Sequence, residues 1–415
     1  MSSVLFRNGC LLVPGETELV GERDVLVEDG LIKEVSDRPI KASSAREIDV
    51  RGKTLMPGLI DLHVHVFGLG LNIDTLARTP NVLVTLRAVP GIAAMLRRGF
   101  TTVRDAGGAN FAIREAIESG LITGPRMFVS GRSISQTGGH GDKRSRSDFL
   151  LPDFPECGCA RVGGLNRVAD GLDGVRKAVR EEFQMGADQI KIMASGGVSS
   201  PTDPIGAMGY SEEETRAIVA EASSRHTYVM AHAYTAEAIG RAVRCGVRSI
   251  EHGNLIDLAT AGLMSTAGAY AVPTLVTYRA LASEGQSHGL PPESMGKISE
   301  VKDASMRSLE LFRQAGVKMG FGTDLLGASQ RLQSEEFRIR CEVLPPSEVI
   351  RSATTIGAEI LNMQGKLGEL VPNAFADLLV VDGNPLRDIN CLTGQGESIP
   401  LVMKGGKICF DELTA

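Results

Sequence analysis

His63 and His65 stand two residues apart in the run DLHVHV, and four further groups able to take part in a metal site follow singly down the chain. They are Lys191 in QIKIMASGG, His232 in VMAHAYT, His252 in SIEHGN and Asp324 in GFGTD. In an extended strand, residues i and i+2 point to one face, so His63 and His65 share a side. Neutral imidazoles and a carboxylate are the donors that zinc and similar ions take, and a bound metal turns water into a nucleophile at neutral pH. Metal-assisted hydrolysis is therefore the chemistry to weigh. Each residue alone has a plainer explanation. A strand-end His usually makes a structural hydrogen bond. A Lys inside an apolar strand usually carries its ammonium out to water. An Asp after Gly-Thr often caps a turn. These explanations are hard to hold jointly, because six such groups fall at the ends of five predicted strands and include four of the seven histidines.

The elements that must position them alternate. Eight apolar, β-rich runs (GLIDLHVHV, FTTVRDAG, RMFVSG, QIKIMASGG, YVMAHAY, RSIEHGN, YAVPTLV and KMGFGTDLLG) are separated by patterns of helical period such as GVRKAVREEFQMG and SEEETRAIVAEASSR. Eight β/α units in about 300 residues suit a TIM barrel, whose active site sits at the C-terminal strand ends. A doubly wound open sheet fits less well, since no Gly-rich phosphate loop follows the first strand. Both ends of the chain read differently, as short strands broken by Gly and Asp turns (VLFRNGCLLV and DVLVEDGLIKEV; ADLLVVDGNP and PLVMKGGKICF). The expected fold is α/β: a (β/α)8 TIM barrel over residues 58–364 with a small β-sandwich domain built from both termini, residues 1–57 plus 365–415. Residues 133–164 lack periodicity and are long for a loop, so a lid over the site is expected there.

Composition narrows the partners. The chain has 415 residues, 43% of them hydrophobic, enough for a large core. The net charge of -6 is spread over both signs with no basic run, which argues against nucleic acid. No apolar run reaches the ~18 residues of a membrane span, and MSSVLFRNGCLLVPG does not read as a signal peptide. Seven mostly isolated cysteines fit a reducing cytoplasm. Cys157 and Cys159 in ECGCA form a close pair, but without a second pair they read as loop thiols and not as a zinc site.

With the HVH pair, the strand-four Lys, single His on strands five and six and Asp on strand eight, the chain resembles the binuclear subtype of the amidohydrolase superfamily. TTVRDAGG, SGRSISQTGGHGD, QIKIMASGGV, AHAYT, IEHGN and FGTDLLG look like the branch of imidazolonepropionase-like proteins and Xaa-Pro dipeptidases (prolidases). The resemblance implies two divalent metal ions, zinc first among them. His63, His65 and Asp324 would bind the first and His232 and His252 the second. Lys191 would bridge them as a carbamate formed with carbon dioxide, because an ammonium has no lone pair to give. It further implies a metal-bridging hydroxide as nucleophile, with Asp324 carrying its proton to the leaving nitrogen. His140 in QTGGHGD would stabilise the oxyanion and contact substrate, and Tyr234 in HAYT would donate to the substrate's carboxylate. Tyr278 and Arg331 are further contacts that the motifs do not single out. A homo-oligomer is expected on the same ground.

Hydrolysis of Xaa-Pro dipeptides is the leading expectation. An N-acyl amino acid amidohydrolase, including the ochratoxin-cleaving kind, uses the same chemistry and is the alternative. Cyclic ring-opening or deaminating enzymes resemble the chain too, but usually work with one metal and lack the strand-four Lys, so Lys191 argues against them. A non-catalytic binding protein would have lost its ligands, and this chain keeps all six.

Overall fold

A computed structural model describes residues 3–71, 76, 79–142, 164–199, 203–286, 290 and 292–413. Cys157, Cys159 and most of the expected lid lie outside the described residues. The chain opens with five short strands: β1 (Ser3–Leu11), β2 (Glu22–Glu28), β3 (Leu31–Ser36), β4 (Arg46–Asp49) and β5 (Thr54–Pro57). β1 pairs antiparallel with β2 and parallel with β4 and β5.

The chain then alternates. β6 (Leu59–Val64), β7 (Phe100–Asp105) and β8 (Arg126–Val129) form one parallel sheet, linked by helices α1 (Asn81–Arg97) and α2 (Phe111–Glu118). A second parallel sheet holds β9 (Ser133–Ser135), β10 (Asn166–Val168), β11 (Ile190–Met193), β12 (Val229–Thr235), β13 (Ser249–Leu255) and β14 (Tyr270–Val272), in the order β10-β9-β11-β12-β13-β14. Its helices include α3 (Gly171–Gln184), α4 (Glu212–Ser224), α5 (Ala236–Arg244), α6 (Leu258–Ala267), α7 (Leu275–Glu284) and α8 (Pro292–Gln314). Local sequence marks several of these helices. Ser211 and Glu214 close a capping box on α4, while Thr235 ends β12 and caps α5 in one step. Every residue of β6, β7 and β11 is buried, as expected of parallel strands covered on both faces. No helix among the described residues is long and apolar enough to cross a membrane.

Two expected strands differ from the sequence reading. The third, RMFVSG, ends at Val129; the chain turns at Gly131 (φ +65°) and Ser133–Ser135 pairs instead with β11. The eighth, residues 318–324, forms no regular strand. It bridges Ala271 through Met319, and Phe321 O accepts from Leu62 N at 2.8 Å, so it bonds to both β14 and β6. Crowding explains its irregularity: a Cβ on Gly322 would lie 2.5 Å from Val272 and 3.0 Å from the His63 side chain.

The last strands, β15 (Leu378–Val381), β16 (Leu401–Lys404) and β17 (Lys407–Asp411), return to the first sheet. β15 pairs antiparallel with β5, giving one eight-stranded mixed sheet from both ends of the chain. Its apolar side packs Phe6, Val25, Leu55, Leu378, Val380 and Leu401 among others.

Candidate metal centre

The six sequence-predicted donors converge. β11, β12 and β13 are neighbours in register, with Met193 opposite His232 and Ala233 opposite His252. Lys191, His232 and His252 therefore project from adjacent strands. Across from them, the His63 and His252 rings are 5.1 Å apart, His63 and His65 5.4 Å, and His232 and His252 4.7 Å. Asp324 Oδ1 lies 3.4 Å from His63 Nε2 and 3.2 Å from His65 Nε2. Asp324 (φ +52°) and His252 (φ +77°) both hold left-handed backbone, which costs a non-glycine residue about 1–3 kcal/mol. The Asp324 N–H donates to His63 O at 2.7 Å, so the strained residue is pinned to the strand that carries the histidine pair.

Each imidazole is held from behind. His63 Nδ1 is 2.7 Å from Glu251 Oε2, and a carboxylate can only accept, so Nδ1 carries the proton and Nε2 faces Asp324. Glu251 is fully buried and also takes Arg104 Nη2 at 2.9 and 3.1 Å and Ser249 Oγ at 2.7 Å. Arg104 Nε in turn donates to Leu62 O at 2.7 Å, tying β7 and β13 to the strand before His63. His65 Nδ1 donates to Gly107 O at 2.9 Å, which likewise leaves Nε2 toward Asp324. His252 Nδ1 is 2.8 Å from Thr274 Oγ1, and His232 Nε2 donates to Gly196 O at 3.1 Å. The sequence reading missed Arg104 and Glu251. The signal was there: an Arg and a Glu inside the apolar strands FTTVRD and SIEHGNL must be paired to be buried.

The electrostatics follow. Burial holds His232 and His252 well below the usual histidine range, helped by His140 beside the first and His232 beside the second, so both are neutral bases. Burial opposes charge on Asp324, but His63 and His65 outweigh it and its carboxyl is held well below the usual range. Burial pushes Lys191 down to about 8 even though Glu251 and Asp324 pull the other way. Its ammonium hydrogen-bonds to no described residue.

These groups line one open recess. His140 is in its wall, its ring stacked on His232 at 4.6 Å and 11°. Tyr234 is buried with its ring 4.8 Å from His232 and 5.3 Å from His252, and Tyr278 donates its hydroxyl to Tyr234 at 3.1 Å. Tyr278, which its motif did not single out, thus belongs to the recess. Arg331 does not: it pairs with Glu284 and Ala328 O and is absent from the described lining. Leu71, Val198, Leu281, Leu290 and Leu326 give the wall an apolar part, and Asn166, Ser199 and Thr277 add polar groups to it. The residues fit a bound cation. His63, His65 and Asp324 each offer one atom within 4.8 Å of the others, and both imidazoles are fixed through Nδ1 as metal-ligating histidines are.

A parallel α/β frame carrying histidines and a carboxylate under one open recess defines a metal-dependent hydrolase class of site. The chain belongs to the amidohydrolase family, whose profile matches residues 54–409. It is 32% identical over 418 residues to the ochratoxinase of Aspergillus niger, spanning 96% of this chain and 85% of that protein. A crystal structure described as an amidohydrolase is 66% identical with a TM-score of 0.97, over 99% of this chain and all of that one. A prolidase crystallised with N-methylphosphonate-L-proline is 53% identical with a TM-score of 0.96, at the same coverage.

Proposed function

We propose that this protein is a two-metal dipeptidase that hydrolyses the amide of Xaa-Pro dipeptides. The observation that carries the reading is the convergence of six donors under one recess, in a chain 53% identical to a prolidase crystallised with a proline phosphonate. His63, His65 and Asp324 would hold one ion, and His232 and His252 the other. Lys191 would bridge them: with its amine readily freed by burial, Nζ attacks carbon dioxide, a new N–C bond forms, and a proton leaves. When bound, divalent ions of the zinc type supply an acidified water and polarise the scissile carbonyl. Asp324 is kept deprotonated by its histidine neighbours, and with Oδ1 turned to them, Oδ2 is left to take a proton from the attacking water and pass it to the leaving nitrogen. His140 would donate to the oxyanion from the recess wall. Tyr234, backed by Tyr278, would anchor the substrate's carboxylate. Leu71, Val198, Leu281, Leu290 and Leu326 favour an apolar residue or acyl group ahead of the scissile bond.

The strands that carry these residues would close as a (β/α)8 barrel over residues 58–364; the support is the 318–324 segment, bonded to both β14 and β6. Residues 1–57 and 365–415 would form the sandwich domain.

The apolar part of the recess wall and the likeness to ochratoxinase support a second reading, an N-acyl amino acid amidohydrolase. One experiment separates the two: metal analysis of zinc-loaded protein, with Xaa-Pro dipeptides, other dipeptides and N-acyl amino acids offered to the same sample. About two metals per chain and turnover confined to Xaa-Pro would support the first. Turnover confined to N-acyl amino acids would move the assignment to the second. One metal or none, without amide cleavage, would sink both.

A further inference from the structure

His140 is held by more than its stacking on His232. Its Nδ1 lies 3.1 Å from Asp203 Oδ2 and its Nε2 3.4 Å from Ser199 Oγ. Asp203 is 3% exposed, and the same Oδ2 accepts the Gly197 N–H at 2.8 Å. Lys297 of α8 grips this stretch from outside, bonding to the carbonyls of Gly197 and Asp203. Gly197 lies flat against the imidazole: a Cβ there would be 2.1–2.5 Å from three of its ring atoms. The neighbouring Gly196 O takes the His232 Nε2 proton, and Ser195 Oγ takes the Tyr234 N–H. One stretch after β11 thus fixes His140, His232 and Tyr234 together, and Asp203 is the side chain that closes it.

We propose that Asp203 is the positioning residue of His140, accepting its Nδ1–H and so holding the ring with its second N–H, on Nε2, toward the recess as the donor. This rests on the role given to His140 under the proposed function. A carboxylate behind a histidine fixes its ring plane and balances the charge of a ring that carries both protons, and losing such a partner typically lowers activity about 10–100-fold. Asp203 is 63 residues from His140 in sequence, so no local motif joins them.

The test is a double-mutant cycle on zinc-loaded protein, combined with a spectroscopic reading of the ring. Asp203→Ala should lower kcat about 10–100-fold with KM changed less than about threefold and metal content unchanged. Asp203→Asn, whose amide oxygen still accepts, should fall in between and guards against a folding failure. In a His140→Ala background, Asp203→Ala should cost less than about twofold, because residues acting as a unit do not add. Gly197→Ala should mimic Asp203→Ala by displacing the ring. Equal losses from Asp203→Ala with and without His140 would overturn the proposal, as would undiminished kcat in Asp203→Ala. The ring is read separately in histidine-labelled protein by long-range ¹H–¹⁵N spectra, with His140 assigned by its absence in His140→Ala. Wild type should show protons on both Nδ1 and Nε2, and Asp203→Ala a single proton divided between the two nitrogens. An unchanged His140 signal would also overturn the inference, whatever the turnover. If His140→Ala keeps full turnover, the catalytic role of His140 fails and the spectrum alone judges the positioning.

Discussion

Lys191 is the residue whose chemistry depends most on its surroundings. Buried to 1% exposure without a hydrogen bond to any described residue, it is a poor place for an ammonium and a good one for an anion between cations. Lys191→Ala should lose metal and activity together, and short-chain carboxylic acids should restore part of both by occupying the vacated bridge. Wild-type activity in that variant would remove the bridging carbamate. Glu251 makes the opposite case. Burial opposes its charge, but Arg104 and His63 outweigh that and bring its carboxyl down to about 2. Its folded value lies below its unfolded one, so its stabilisation is complete above about pH 4.5 and drains away as pH falls toward 2; at neutral pH it is worth about 3 kcal/mol. The gap in thermal midpoint between metal-free wild type and Glu251→Gln should therefore be widest above pH 5 and narrow below pH 4. A gap independent of pH would mean that Glu251 acts only as a packing group.

At the scale of elements, sequence periodicity located the candidate donors because each belongs to a short apolar run, a signal that needs no long-range information, although Lys191 stands second in β11 and His252 fourth in β13 rather than at their ends. It failed where the chain's neighbours decide. Residues from Ser133 on read as a segment without periodicity, yet the chain turns at Gly131 and Ser133–Ser135 forms a strand against β11. KMGFGTD reads as a strand, yet Gly320 and Gly322 are there because Leu62, Val272 and His63 crowd the backbone. The pairing of Arg104 with Glu251, 147 residues apart, and of Tyr278 with Tyr234 could not be read from spacing either. The turn at Gly131 is testable. A Cβ there would lie 2.2 Å from Glu182 Oε2, and buried Glu182 also takes the Arg132 N–H at 3.0 Å and Arg167 at 3.1 Å. Gly120 shares the left-handed backbone (φ +76°) but has open space around its Cβ position. Gly120→Ala should thus cost about 1 kcal/mol for conformation alone, and Gly131→Ala about 2–4 kcal/mol as the Glu182 contacts are also lost. Equal costs in urea unfolding would show that the bend at Gly131 needs only its dihedral angle.

For the whole molecule, the question is whether the sheet made from both ends is an independent attachment or part of the frame that holds the site. Four ties cross between them. Asp377, 3% exposed, takes Arg126 of β8 on its carboxylate, together with Gly405 N at 2.7 Å, while its carbonyl takes Gly58 N at 2.9 Å just before β6. Lys404 donates to Gly124 O at 2.6 Å. Arg97 of α1 reaches Gly396 O and Ile399 O, and its guanidinium lies 3.6 Å over the Phe410 ring. β5 runs into β6 through Gly58 alone, so the end sheet and the strand bearing His63 cannot shift independently. A tether this short and this bonded predicts one cooperative transition. Asp377→Ala should leave Arg126 unpaired at the junction and remove about 2 kcal/mol, discounted from a fully buried pair because Arg126 is 21% exposed. By calorimetry the single transition should move down and stay single, and zinc loading should raise it as a whole, because a ligand of the native state stabilises everything that unfolds with its site. Two resolved transitions, with zinc raising only one, would mean that the end sheet unfolds on its own and that the ties do not couple it to the metal centre.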